Sequence, residues 1–141
     1  MKINFKESLA KCGYILVPLT WFDEEHWFIV DTGAPRNIID DDYFCKMLDA
    51  HPEIGLYEAR MLEQNVWGAS QEGESKVPKN CVLEIPFEEI KLDFGVIAYG
   101  NVFKEISKSL NKKVVGLIGA TGLIKLKARI NYSTYEIEID Y

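Results

Sequence analysis

The sequence predicts one mostly-β domain, a barrel or a sandwich, carrying two short helices. Three observations predict it. Short runs of β-forming residues recur from end to end, each closed by turn chemistry. Only two stretches show helical spacing of apolar residues. No linker or low-complexity segment divides the 141 residues, so residues 1–141 read as a single domain, long enough for a proper core and too short for two.

Taken in order, Tyr14 to Leu19 is an apolar run that predicts a strand. Asp23-Glu24-Glu25 is a polar break, and His26 to Val30 is a second strand, so the pair predicts a hairpin. Asp31-Thr32-Gly33-Ala34-Pro35 stops that strand with turn residues. Ile38-Ile39 is a brief apolar pair. A helix begins near Asp40-Asp41-Asp42, with Asp40 as its cap and the acids at the positive end of the dipole. Tyr43, Phe44, Met47 and Leu48 fall at helical spacing, and Pro52 ends the helix near Ala50 or His51. Residues 54–65 fit neither period.

Gly68 to Gly73 read as an exposed hairpin tip. Val82 to Ile85 and Ile90 to Phe94 predict strands around Pro86-Phe87-Glu88-Glu89, the second extended through Tyr99. Asn101 stands where it caps a second helix with Phe103, Ile106 and Leu110 on one side. Val114 to Gly119 is a buried strand by composition, with a short helical turn after it at Leu123-Ile124. Ala128 to Tyr132 and Tyr135 to Tyr141 close the chain. The last run alternates, with Tyr135, Ile137, Ile139 and Tyr141 on one face.

Composition narrows the function. Sixteen Lys and Arg against 22 Asp and Glu give a net charge of −6, which repels phosphate backbones and argues against nucleic-acid binding. Cys12, Cys45 and Cys81 are odd in number and form no Cys-x-x-Cys pair, so reduced thiols are expected in place of a disulfide framework. The N-terminal residues lack an apolar signal-peptide core, and no apolar run reaches the roughly 18 residues of a membrane span. The expectation is a cytoplasmic protein without a membrane partner.

The informative stretch is Phe28-Ile29-Val30-Asp31-Thr32-Gly33-Ala34. An acid placed where a buried strand runs out is held by a rigid element. Thr and Gly beside it offer hydrogen bonds without bulk, and Gly33 lets a ligand approach. One such carboxylate suits a general base; two facing each other do more. Read alone, Asp31 is also compatible with a turn acid capping backbone amides.

This stretch resembles the retropepsin-like aspartic proteases. The resemblance rests on Asp-Thr-Gly-Ala at 31–34, preceded by apolar residues and followed by Ile38-Ile39. It rests also on Leu117-Ile118-Gly119, which is similar to the family's late apolar-apolar-glycine motif. Leu123 to Tyr132 and then Tyr135 to Tyr141 follow the family's order of short helix, strand and final hairpin. The resemblance covers roughly Tyr14 to the C-terminus and implies a closed acid-protease-like β barrel.

It also implies an aspartic endopeptidase acting on a peptide or protein substrate, with no metal and no cofactor. The chain has a single Asp-Thr-Gly, so an active form is a homodimer with Asp31 from each copy. In that reading Asp31 is catalytic, Thr32, Gly33 and Ala34 support it, and Thr32 braces the two loops against each other. Residues 66–75 form a flap, with Trp67, Gly68, Ala69 and Ser70 facing substrate. Ile3 and Phe5, with the final strand, supply an interleaved sheet of chain ends. The sequence departs from the family at Pro35 and Arg36, where a small polar or acidic residue is common, and at Ala120-Thr121 after the late glycine. A cation near the dyad can keep both carboxylates ionised. These departures motivate the alternative of a catalytically inactive protease-like binding or dimerisation module.

Other candidates read as structural. Asp40-Asp41-Asp42 lacks the glycine and spaced oxygens of a calcium loop. His26 and His51 stand apart from each other and from any cysteine, which argues against zinc. Cys45 reads as core, and Lys104 to Lys113 as a solvated helix face. Ala120-Thr121-Gly122 looks like a second motif that has lost its acid, but the late family motif already accounts for it.

Overall fold

A computed structural model describes residues 1–52, 60–61, 81–87, 89–97 and 101–140. Along the chain the strands are β1 (Lys2–Asn4), β2 (Ile15–Trp21), β3 (Glu24–Val30), β4 (Asn37–Asp40), β5 (Arg60–Met61), β6 (Cys81–Phe87), β7 (Ile90–Ile97), β8 (Val114–Ile118), β9 (Arg129–Asn131) and β10 (Glu136–Glu138). The helices are α1 (Lys6–Cys12), α2 (Asp41–Ala50), α3 (Val102–Leu110) and α4 (Ala120–Lys125). The mostly-β expectation holds. Two helices were expected and four are present among the described residues. Phe5, Leu9 and Cys12 already carry helical spacing, but Ser8 interrupts the apolar face of α1 and conceals it. The turn expected at Leu123-Ile124 is the end of α4.

Two sheets form among the described residues. Seven strands run in the order β2-β3-β8-β4-β7-β6-β5, and three in the order β1-β10-β9. The larger sheet is curled and brings β2 into contact with β6. Among the described residues no hydrogen-bonded pairing closes it into a barrel. β2 and β3 are the expected hairpin, with one correction. Glu24 and Glu25 belong to β3, opposite Trp21 and Thr20, and the turn is Phe22-Asp23, both at positive φ. A two-residue turn of that hand matches the twist of the flanking strands, and Glu24 and Glu25 beside it are exposed.

β8 sits between β3 and β4, parallel to the first and antiparallel to the second. Its register against β3 steps from Trp27↔Val114 to Phe28↔Gly116, leaving Val115 as a bulge. The step resets the alternation of side chains. Val115 and Ile118 join one core cluster with Val17, Phe28, Ile39 and Phe94. Val114 and Leu117 join the other, with Leu16, Ile29 and Ile38 beneath Phe103, Ile106 and Leu110 of α3. A central strand covered on both faces reads as a continuous apolar run, as its composition predicted.

Both helices predicted from periodicity form. Asp40 caps α2 by accepting the Tyr43 N–H at 3.3 Å, as expected, and α2 ends at Ala50. Asn101 precedes α3 but its side chain makes no cap hydrogen bond; its carbonyl accepts the Glu105 N–H at 2.9 Å. The final strand is shorter than its alternation predicted. Ile137 and Ile139 are buried, whereas Tyr135 is exposed in a turn at φ 56°. β1 pairs with β10 inside one chain, with Ile3 opposite Ile137 and Ile137 opposite Ile130. The segments expected to interleave between subunits are thus paired with each other here. No helix among the described residues is long and apolar enough to cross a membrane.

Candidate active site

The loop from Asp31 to Arg36 leaves β3, arches over the C-terminal end of β8 and enters β4. Both flanking strands pair with β8, so the loop is anchored at each foot. The Asp31 N–H donates to the Ile118 carbonyl at 3.0 Å, continuing the parallel pairing one residue past β3. The Ala34 N–H donates back to the Asp31 carbonyl at 3.2 Å and closes a tight turn. Within it the Gly33 N–H donates to Asp31 Oδ1 at 2.9 Å. This bond fixes the carboxylate on the outside of the turn, where Asp31, Thr32 and Gly33 are all exposed.

The late motif meets this loop directly. The Ala120 N–H donates to the Ala34 carbonyl at 2.7 Å, and the Thr121 N–H to the Pro35 carbonyl at 3.3 Å. Gly119 fits beneath the loop against the carbonyl oxygens of Arg36 and Ala34; a Cβ there would lie 2.6 Å from the latter. The two stretches singled out in the sequence are therefore one structural unit. Within Asp31-Thr32-Gly33-Ala34, Ala34 is the buried member. Arg36 makes no ion pair with Asp31 among the described residues. Trp67, Gly68, Ala69 and Ser70, with the rest of the 66–75 segment, lie outside the described residues.

Asn37 is the residue that sequence reasoning missed. It is buried at the start of β4, accepts the Gly119 N–H on Oδ1 at 3.0 Å and donates from Nδ2 to the Asp93 carbonyl at 3.1 Å. One side chain thus ties the loop, the late motif and β7 together. The signal was a lone amide directly before Ile38-Ile39, in a strand that is otherwise buried. Gly122 packs on the same side chain, with no room for a Cβ beside Asn37 Oδ1. Close packing therefore accounts for the glycine of Ala120-Thr121-Gly122. Asn37→Ala is expected to cost about 2–3 kcal/mol, because it strands a buried donor and a buried acceptor. Urea denaturation measures it; a loss under about 0.5 kcal/mol would mean that the two bonds do not hold the loop.

Other groups lie apart from the loop. The carboxylates of Asp40, Asp41 and Asp42 fall within 4.8 Å of one another, with Asp40 engaged as the α2 cap and Asp42 3.5 Å from the Lys104 ammonium. Cys12 and Cys45 are both half-buried, and the Cys12 thiol donates to the Ser8 carbonyl at 3.1 Å. A cleft of about 420 Å³ opens on the smaller sheet between Lys2, Arg129, Tyr132 and Glu138, and no residue of the Asp31 loop lines it. Comparison with family models, curated proteins and solved structures returned no match.

Proposed function

We propose that this chain is half of a homodimeric aspartic endopeptidase, in which the Asp31 carboxyls of two copies activate a water for peptide hydrolysis. The observation that carries the proposal is the meeting of the two motifs. An exposed carboxylate is fixed by a turn amide at 2.9 Å, on a loop locked over Gly119, which follows β8 far away in sequence. A turn acid needs only its own amides; it does not need a second motif packed beneath it with a buried Asn bracing both.

The chemistry follows from like-charge repulsion. Two carboxyls about 3 Å apart cannot both ionise, so they share one proton, the established behaviour of aspartic proteases. The ionised partner takes a proton from water, which attacks the peptide carbonyl. The protonated partner polarises that carbonyl and then helps the amine leave. The apparent pKa values belong to the pair. Because one chain holds one Asp-Thr-Gly, the second carboxyl comes from a second copy, with Thr32 of each bracing the junction. In this reading the curled seven-stranded sheet is part of a closed acid-protease-like barrel, and residues 66–75 cover the substrate.

Peptide-library cleavage at mildly acid pH, by the wild type and by Asp31→Asn, tests the reading. Products from the wild type alone support it. Equal products from both overturn it. A dimer that releases no product in either form favours the inactive binding module, for which Pro35 and Arg36 are the motivating departures.

A further inference from the structure

The proposed chemistry makes no use of the buried titratable cluster around His26. His26 lies on β3, five residues before Asp31, and is wholly buried. Its ring meets the ring of Tyr43 on α2 edge to face, with centroids 5.4 Å apart. Its Nε2 is 3.6 Å from the Glu24 carboxylate on its own strand. Glu24 in turn is 2.9 Å from the ammonium of Lys113, in the turn before β8, and that ammonium lies 5.4 Å over the Tyr43 ring. At the tip of the hairpin, Phe22 stacks on His51 at the end of α2, with centroids 4.5 Å apart and planes within 10°. Two histidine rings therefore take part in the contact between the β2–β3 hairpin and α2, one of them beside an ion pair.

We propose that His26 is an acid-operated latch: adding a proton to its buried imidazole releases the β2–β3 hairpin from helix α2 while the central strands stay paired. Burial holds the imidazole neutral and pushes its pKa down to about 4. Lys113 acts in the same direction, against the opposing pull of Glu24 and of backbone bonds at Leu19 and Glu24. The hydrogen bond from Lys113 holds the Glu24 carboxyl below the usual carboxylate range, with smaller help from His26 and His51. Glu24 thus keeps its charge to lower pH than an unpartnered carboxyl does. The groups that face His26 are Glu24 from β3, Tyr43 from α2 and Lys113 from the turn before β8; β2 faces it with the backbone of Leu19.

The sign follows from which form binds the proton. In the released form the imidazole is solvated and titrates near its ordinary value of about 6.5. Above that pH neither form is protonated, and there is no bias. Between about 6.5 and 4 only the released form takes up the proton, so each pH unit favours release tenfold. Below about 4 both forms are protonated and the bias levels off at roughly 300-fold. This device is independent of the peptidase reading.

Amide hydrogen exchange from pH 7 to 4, corrected for intrinsic rates, tests it on the full chain. Protection of α2 is expected to fall toward roughly 300-fold while that of β8 is kept. In His26→Gln the α2 profile becomes flat. Should that variant fail to fold, NMR of the wild-type His26 ring supplies the answer, because α2 protection must fall above the pH at which that ring titrates and level off there. Four results would each overturn the latch: a flat wild-type profile, a wild-type slope in His26→Gln, joint loss of α2 and β8 protection, or ring titration without change in α2.

Discussion

Asp31→Asn is expected to abolish peptide hydrolysis, lowering kcat/KM on the order of 10³-fold or more, with fold and assembly unchanged. An amide neither takes a proton from water nor shares one with a partner. It does keep the structural role, because its oxygen can still accept the Gly33 N–H that Asp31 Oδ1 accepts at 2.9 Å. The substitution also acts twice, since both halves of the proposed dyad come from the same sequence. Sedimentation and thermal melting should match the wild type. The kinetic loss is then chemical, and cleavage at the wild-type rate would remove Asp31 from catalysis.

Gly119→Ala is the other large effect, and it falls on stability. Gly119 has φ −92° and ψ −172°, a conformation open to any residue, so its backbone does not demand glycine. Space does. A single added methyl would press on the carbonyl of Arg36 and lie 2.6 Å from that of Ala34, both backbone atoms of the loop. Backbone held at each end by strand pairing cannot yield as a side-chain tip can. The expected cost is about 3–5 kcal/mol, measured by urea denaturation, with the loop over β8 distorted in any protein that folds. A variant as stable as the wild type would show that the loop does not rest on Gly119.

Strands and helices with clean periodicity were legible in the residues themselves. The hairpin before Asp31, the α2 cap at Asp40 and the Phe103, Ile106 and Leu110 face of α3 each follow from local chemistry. What escaped was set by tertiary contact. Ser8 breaks the apolar face of α1, and the bulge at Val115 is a response to β3 that leaves no mark in composition. The end of β10 is decided by the turn at Tyr135 and by pairing with β1, while its alternation alone suggested a longer strand. Of the candidate site, Asp31 and Gly119 were legible as motifs. Neither their contact nor Asn37, which braces it, was foreseen: a lone amide before Ile38-Ile39 signals a buried polar group but not the two distant backbones it bridges.

The peptidase reading stands on two copies of one carboxylate meeting across a subunit boundary. A crystal structure of the protein at mildly acid pH measures that meeting directly. The expected result is a two-fold dimer with the Asp31 carboxyl oxygens of its protomers roughly 3 Å apart, close enough to share a proton. Solitary chains, or a dimer whose Asp31 side chains point away from each other into solvent, would contradict it.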